Sequence, residues 1–266
     1  MPEYHVKVIA YDSTAVDLLQ EDSGLPANRI KEAMSKGAVW LTRGKQTRRL
    51  RRAKRVLKTG DELHLYYNPE ILSEEPPEPT LVADQDLYSV WDKPFGLRSQ
   101  GSRWGDHCTV VRWAETQLEP QRSAFTVHRL DRAASGLILV AHSKSMAAKL
   151  STMFRERKIE KHYVLKVHGE FPDEQDGIRV TTPIDGKEAV SIFKRGETSD
   201  GVSSVHAQLE TGRKHQLRRH LAELGYPVVG DRLYGRGSED GVDLQLRARV
   251  LSFLCPVQND HVRYSV

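Results

Sequence analysis

Short apolar runs, and short stretches in which apolar and polar residues alternate, recur along the chain after residue 83 and predict strands. They lie at residues 125–127, 137–141, 163–167, 189–193 and 205–209. Residues 146–154 and 217–224 instead space their apolar side chains as amphipathic helices do, and Gly225 marks the end of the second helix. Because strands and helices do not alternate strictly, we expect an α+β domain built on a mixed, mainly antiparallel sheet.

The N-terminal part shows a shorter version of the same pattern. Ile30, Ala33 and Met34 have helical spacing, Gly37 marks a helix end, and residues 38–41 and 63–67 are predicted as strands. The segment SEEPPEPT, residues 73–80, concentrates proline and glutamate, which disfavour both helix and sheet. We therefore expect a small α/β module over residues 1–70, a linker over 71–82 and a larger domain over 83–266.

The composition is that of a globular protein. Of the 266 residues, 38% are hydrophobic and 29% are charged, and no apolar run is long enough to cross a bilayer. The N-terminus lacks the basic-then-apolar layout of a secretory signal. Cys108 and Cys255 stand alone, without the spacing of a disulfide framework or a zinc site. We therefore expect a cytoplasmic protein and, since nothing indicates an obligate oligomer, a monomer.

One strongly basic stretch stands out from this composition. The net charge is only +4, but residues 43–58, RGKQTRRLRRAKRVLK, hold nine basic residues and no acidic one. A cation that neutralises a phosphate releases condensed counterions, so this run favours RNA as a partner. A solvated or disordered basic loop remains the alternative. The candidate RNA contacts in the run are Arg43, Lys45, Arg48, Arg49, Arg51, Arg52, Lys54 and Arg55.

The N-terminal layout resembles the small RNA-binding module named after ribosomal protein S-four. The GxV strand and the closing GDxhxh strand (h, apolar) of that module have counterparts in residues 37–39, GAV, and 60–65, GDELHL. The usual Asn-Gly turn after the first strand is replaced by TRGK at 42–45. The resemblance implies that the basic run belongs to an RNA-binding module.

The residues that carry chemistry are concentrated in FTVHRLDRAASGLILVA, residues 125–141, where a polar HRLDR turn lies between two apolar strands. Asp131 is flanked by Arg129 and Arg132, and nearby cations favour the charged form of a carboxyl group. An anionic carboxylate can act as a nucleophile or stabilise positive charge that develops on a sugar. From charge alone, a surface salt-bridge cluster is the alternative.

This turn is part of a longer match to a family signature. HRLDRAASGL, residues 128–137, resembles the HRLDxxTSGL signature of RluA-type pseudouridine synthases, with Ala134 where threonine is usual. The family's other motifs have counterparts in the same order: DKPFGL (92–97), KHY and VHG (161–163 and 167–169), GKEAVS (186–191), TGRKHQLR (211–218), GDRLYG (230–235) and residues 246–256. The resemblance covers nearly the whole second domain and implies the pseudouridine synthase fold and activity.

The resemblance also implies roles for individual residues. Asp131 occupies the catalytic aspartate position, and Tyr163 that of a tyrosine that stacks on the target uracil with its hydroxyl near carbon five. Arg213 is implied to pair with the aspartate. A core tyrosine and a solvated helix-end arginine are the alternatives for the last two. RNA contacts are expected from Arg129, which would fill the gap left by the flipped base, and from His128, Arg132, Lys93, His215, Gln216 and Arg218.

The implied reaction rotates a uridine out of the RNA stack, cleaves its N-glycosidic bond with the help of Asp131, and rejoins carbon five to the ribose. Attack on the ribose, attack on the base and help in removing a ribose proton remain open as the role of Asp131. No cofactor is expected, because neither redox change nor external group transfer occurs. A non-catalytic RNA-binding protein is the runner-up, and a metal site is disfavoured by the absence of ligand spacing. We expect structured RNA as the substrate, with ribosomal RNA favoured over transfer RNA.

Overall fold

The computed structural model describes residues 2–9 and 13–266 and divides the chain into two compact units. One unit holds the chain up to Pro76 together with Gln100–Trp113, and the other holds Pro77–Ser99 and Ala114–Val266. The sequence assigned all of residues 83–266 to one domain, so the placement of Gln100–Trp113 differs from that expectation. The physical reason is an ion pair network, because Asp106 of this segment binds Arg49 at 2.9 Å and Arg51 at 2.5 Å.

The N-terminal unit is a four-stranded antiparallel sheet packed against helices. Its strands are β1 (Glu3–Lys7), β2 (Val39–Arg43), β3 (Gln46–Arg49) and β4 (Glu62–Tyr66), in the order β1-β4-β2-β3. Its helices are α1 (Ala15–Ser23), α2 (Ala27–Ser35) and α3 (Pro69–Ser73). Leu19, Ile30, Met34, Leu63 and Leu65 belong to its buried core. Burial of these apolar side chains is the main source of stability of the unit.

The linker is shorter than the predicted 71–82. Helix α3 extends into it, capped by Asn68, whose Oδ1 accepts from Ile71 N at 3.0 Å, and Leu72 is buried in the core. Strand β5 (Thr80–Asp84) begins before its predicted end. The segment without helix or strand is 74–79, in which three prolines lack the N–H that regular structure requires.

The second unit confirms the predicted α+β class. Its strands after β5 are β6 (Tyr88–Lys93), β7 (Phe125–Thr126), β8 (Ser135–Ala141), β9 (Glu160–His168), β10 (Ile178–Val180), β11 (Ser191–Ser199), β12 (Val202–Leu209), β13 (Leu246–Leu254) and β14 (His261–Ser265). They form a ten-stranded sheet of order β10-β11-β12-β9-β13-β8-β6-β5, with β14 paired to β13 and β7 to β8. The β13–β8 pair is parallel and its neighbours are antiparallel, so the sheet is mixed and mainly antiparallel.

The α-helices that come after α3 are α4 (Val110–Gln117), α5 (Lys144–Arg155) and α6 (Gln216–Glu223). The two predicted helices correspond to α5 and α6, and Gly225 N donates to Ala222 O at 3.0 Å where α6 ends. Strand β11 starts later than predicted, since Val190 N donates to Thr211 Oγ1 at 2.8 Å and not to a neighbouring strand.

The parallel β13–β8 pair depends on a glycine next to the HRLDR turn. Gly136 has a φ of 106° and is paired with Ala248 of β13. A Cβ at this position would collide with the backbone of Ala248, so only glycine allows the two strands to approach. The start of β8 is thereby fixed just after Asp131.

Candidate active site

Asp131 lies in the turn between β7 and β8 and borders two large cavities. Its side chain keeps 27% of its surface exposed. A cavity of about 680 Å³ is lined by Asp131 together with Tyr163 and Arg213. A second cavity, of about 250 Å³, is lined by Asp131 together with Phe95 and Arg132. The carboxylate is therefore accessible from both cavities.

Hydrogen bonds hold the turn that carries Asp131. Ser99 Oγ accepts from Leu130 N at 2.9 Å and donates to Leu130 O at 2.7 Å. Ala134 N donates to Asp131 O at 3.1 Å, which closes the turn. Leu130 is itself buried, so the residue before the carboxylate is anchored in the core.

Lys93, for which the sequence analysis expected an RNA contact, is fully buried beside this turn. Its Nζ donates to Pro94 O at 3.0 Å, Leu97 O at 2.9 Å and Arg132 O at 3.4 Å. Burial lowers the pKa of Lys93 to about 8, while the charge of Asp131 acts in the opposite direction. Lys93 therefore joins the loop after β6 to the Asp131 turn and places a positive charge near it.

Arg218 is the arginine that reaches Asp131. Its Nη1 lies 3.4 Å from Asp131 Oδ2, and its Nε and Nη2 donate to the two oxygens of Asp231 at 2.7 and 2.6 Å. Both members of this second pair are buried. Burial alone lowers the pKa of Arg218, yet the hydrogen bonds and charge of Asp231 raise it above its ordinary value. A charged guanidinium is thus held beside the carboxylate.

The contacts of two arginines differ from what the sequence analysis expected. Arg213, predicted to pair with Asp131, instead donates from Nε to Glu188 O at 2.8 Å while lining the 680 Å³ cavity. Arg218, predicted to contact RNA, is buried between two carboxylates. Both arginines belong to the TGRKHQLR motif, but Arg213 precedes α6 whereas Arg218 lies in its first turn.

Asp231 has no role in the sequence analysis, yet it positions Arg218. Its Oδ1 also accepts from Leu233 N at 2.9 Å and from Tyr234 N at 3.1 Å. Burial raises the pKa of Asp231, but the hydrogen bonds from Arg218 and from these two amides hold it below its ordinary value. The sequence signal for this residue is its place in the GDRLYG motif.

Tyr163 lies on β9, is 7% exposed and lines the same cavity as Asp131. Its partners across the sheet are the small residues Ala207 of β12 and Ala248 of β13. Burial raises the pKa of Tyr163, and the charge of Asp131 acts in the same direction, so the phenol stays protonated. The ring is therefore both part of the core and accessible from the cavity.

Gln216, for which the sequence analysis expected an RNA contact, is buried and supports the fold. Its Oε1 accepts from Thr211 Oγ1 at 2.8 Å and from Arg213 N at 2.9 Å. Its Nε2 donates to Val190 O at 3.0 Å and Ser191 Oγ at 2.9 Å. All four hydrogen-bonding positions of the amide are occupied, and they hold the turn before α6.

Two histidines line the cavities. His215 Nε2 lies 3.7 Å from Asp131 Oδ1, and burial lowers the pKa of His215 against the opposing charge of that carboxylate. His128 stacks on Phe154 with ring centroids 4.2 Å apart, and its Nε2 accepts from Leu139 N at 2.9 Å. Burial lowers the pKa of His128 to about 3, so this ring is neutral.

Cations surround the 680 Å³ cavity. Among the described residues that line it, Glu210 is the one acidic residue besides Asp131. Burial lowers the pKa of Lys161, and Arg157 acts in the same direction. A cavity with such a rim attracts a polyanion. The basic residues of the rim are Arg129, Arg155, Arg157, Lys161, Arg213 and Lys214.

Some cations of the basic run in the N-terminal unit form ion pairs with carboxylates, and we call these structural. The cations of the run that form no ion pair are called free. Arg43 donates to Asp61 at 2.8 and 2.6 Å, and Arg49 and Arg51 bind Asp106. Strand β3 lies within the run, so the run is not a disordered loop. A cavity of about 410 Å³ in this unit is lined by cations of the run. In the part of the chain that the structure describes, these side chains of the run make no ion pair: Lys45, Arg48, Arg52, Lys54, Arg55 and Lys58.

Over residues 2–9 and 13–266, no group of three or more histidine, cysteine, aspartate or glutamate side chains could hold a metal ion. Cys108 and Cys255 are buried free thiols. Within these same ranges, no helix has the length and apolar character needed to cross a membrane.

Comparisons with known proteins agree on one family. The family model described as RNA pseudouridylate synthase matches residues 87–223. The "Uncharacterized RNA pseudouridine synthase YjbO" of Bacillus subtilis is 30% identical over 232 residues, covering 79% of this chain and 81% of that protein. The "Dual-specificity RNA pseudouridine synthase RluA" of Escherichia coli K12 is 34% identical over 218 residues, covering 74% and 95%.

A solved structure supports the fold. "Human RNA Pseudouridylate Synthase Domain Containing 1" superposes with a TM-score of 0.60 at 24% identity, covering 73% of this chain and 86% of that one. A second human protein, "RNA Pseudouridylate Synthase Domain Containing 4", gives a TM-score of 0.57 at 20% identity. At these identities the similarity shows a shared fold.

Proposed function

The chain belongs to the RNA pseudouridylate synthase family, and we propose that Asp131 is the carboxylate with which it converts uridine to pseudouridine. As a member it is an isomerase, so the non-catalytic runner-up is set aside. The observation that supports Asp131 is its contact with Arg218, which Asp231 holds in place, at the junction of two cavities. A partly exposed carboxylate that faces a cavity, with a buried cation fixed beside it, is arranged for chemistry on a bound group.

The cavity geometry suits a nucleotide rotated out of the RNA stack. At about 680 Å³ the larger cavity has the size of small-molecule sites, and its rim is basic. In the isomerisation the bond between ribose carbon one and uracil N1 breaks, the bond to carbon five forms, carbon five loses a proton and N1 gains one. The carboxylate of Asp131 stabilises the positive charge that develops on the ribose, with or without a covalent intermediate. Tyr163 offers its ring to the uracil.

We further propose that Arg213 and the cations of the cavity rim, Arg129 among them, contact the RNA backbone near the target. The free cations of the basic run add phosphate contacts in the N-terminal unit, in keeping with its resemblance to the S-four module. We favour ribosomal RNA over transfer RNA. The name of the Escherichia coli relative includes "dual-specificity", so both RNA classes belong in the test. We also propose that the enzyme acts in the cytoplasm, as a monomer without a cofactor.

A pseudouridine map of cellular RNA tests this proposal. Ribosomal and transfer RNA are compared, by carbodiimide adduct stops, between a deletion strain and the same strain carrying either the original chain or Asp131→Ala. We expect particular stops to vanish on deletion and to return only with the original chain. A map that does not change, or one that Asp131→Ala restores, would overturn the proposal.

The rate of pseudouridine formation is expected to fall as pH rises through about 8, the pKa to which burial lowers Lys93. Above that pH the positive charge near the Asp131 turn is lost, and we expect a decrease of about tenfold. The stability should change in the opposite direction. The unfolded chain binds this proton more tightly, so the free energy of unfolding rises between pH 8 and 10.5.

Single-turnover rates measured across this pH range, with Lys93→Arg as the control, check the prediction. The guanidinium of the variant stays charged throughout, so its rate should lack the alkaline decrease. If the variant and the original chain lose activity at the same pH, Lys93 is not responsible.

A further inference from the structure

The outward face of the N-terminal sheet carries aromatic rings where an exposed sheet face normally carries polar side chains. His5, His64, Trp40 and Arg49 are paired in register across β1, β4, β2 and β3. Because side chains alternate along a strand, these four lie on the face opposite the buried core of the unit. A row of three rings, which ends at the Arg49 side chain, therefore crosses the sheet.

Tyr66 and Trp104 extend this row at one side. The Tyr66 ring centroid lies 6.0 Å from that of His5 and 5.6 Å from that of Trp104, both with edge-to-face geometry. Trp104 belongs to Gln100–Trp113, the segment that joins this unit from further along the chain. The rings of Tyr66 and Trp104 are half-buried, and the side chain of His5 is 51% exposed. The face is thus accessible to a ligand.

Two arginines lie over the rings. The Arg49 guanidinium is 4.2 Å from the Trp40 ring centroid, and that of Arg103 is 5.3 Å from Tyr66 and 5.6 Å from Trp104. Trp40 Nε1 donates to Arg103 O at 3.0 Å, which fixes the loop that presents Trp104. The Arg103 side chain is 56% exposed. Rings and cations are therefore interleaved on one surface.

We propose that this aromatic face, made of His5, Trp40, His64, Tyr66 and Trp104, binds unpaired bases of the substrate RNA by stacking. Single-stranded RNA is bound by aromatic side chains on open sheets, with cations alongside for the phosphates. Here Arg49 and Arg103 lie over the rings while paired with Asp106 and Glu3, and the free cations of the basic run supply the charge that is complementary to RNA. The inference rests on the proposed function, since RNA is the substrate of that reaction. It adds that the substrate carries an unpaired stretch besides the target uridine.

The test compares the affinity of the full chain for a uridine oligonucleotide of about 12 residues and for an abasic analogue with the same number of phosphates. The unsubstituted chain should bind the uridine oligonucleotide more tightly. Trp104→Leu and Tyr66→Leu should each weaken binding of the uridine oligonucleotide by about tenfold and leave binding of the abasic one unchanged. Trp104→Phe, which keeps a ring, should retain most of the affinity.

The matched control removes charge from the same unit. Arg52→Ala combined with Arg55→Ala should weaken binding of both oligonucleotides alike and lower the salt dependence. The inference is overturned if the unsubstituted chain does not distinguish the two oligonucleotides, or if the leucine variants weaken neither or both alike. Pseudouridine formation is scored separately. A chain that stacks bases but forms no pseudouridine would refute the proposed function and leave this inference standing.

Discussion

Asp131→Asn is expected to lower the single-turnover rate of pseudouridine formation by about 10³-fold or more, because the neutral amide can neither attack nor stabilise a cationic ribose. Asparagine has nearly the same shape as aspartate, and Arg218 remains bound to Asp231 in the variant. The fold and the affinity for RNA should therefore be little changed. Release of tritium from uridine labelled at carbon five, with the chain in excess over RNA, measures the rate.

Asp92→Asn is the matched control for this prediction. Asp92 is also a partly exposed aspartate bound to an arginine, Arg247, at 2.6 Å, but it does not line the cavities around Asp131. Its substitution should leave the rate close to that of the original chain. If Asp131→Asn keeps more than about a tenth of the rate, a difference under about 1.4 kcal/mol in activation free energy, Asp131 is not the catalytic carboxylate.

Asp231→Asn is expected to lower the free energy of unfolding by about 3 kcal/mol, because it removes the closer of the two counterions of the buried Arg218 and leaves only Asp131, at 3.4 Å. The remaining Oδ1 still accepts from Leu233 and Tyr234, so the turn itself is preserved. The rate should also fall, since nothing then holds Arg218 against Asp131. Urea denaturation and single-turnover rates measure the two effects separately.

Adding Arg218→Met to Asp231→Asn separates stability from activity. The double variant buries no unpaired charge, so most of the lost stability should return, whereas the rate should stay low. The pH dependence provides a further check. The pKa of Asp231 is lowered in the folded chain, so its stabilisation is present above about pH 4 and is lost as pH falls through the lowered value. A double variant no more stable than the single one would contradict the importance of this pair.

The local spacing of apolar residues in the sequence was sufficient to predict much of the fold. A short apolar run predicted β8, alternation of apolar residues predicted β9 and β12, and helical spacing with a terminal glycine predicted α6. These elements are determined by the periodicity of neighbouring side chains, which a sequence displays directly. The start of β11 was missed by two residues, because the hydroxyl of Thr211, distant in sequence, takes the N–H of Val190.

The site was only partly predictable, since burial and pairing depend on tertiary approach. Lys93 is a charged residue that sequence analysis places in solvent, yet three carbonyl groups meet around it in the core. Arg213 and Arg218 lie in one motif, and only the position of α6 determines that Arg218 reaches Asp131. The cations of the basic run likewise look equivalent in sequence. Their separation into structural and free groups requires Asp106, more than fifty residues away.

The discontinuous N-terminal unit limits how this protein can be shortened or recombined. Removing the chain up to Pro76 would leave Gln100–Trp113 without the sheet to which Trp40, Arg49 and Arg51 bind it. If one of these two segments is replaced by that of another protein, the other segment must be replaced with it. We therefore expect the two segments to be inherited together. Chimeras joined within the proline-rich linker should therefore misassemble unless Gln100–Trp113 is transplanted from the same parent.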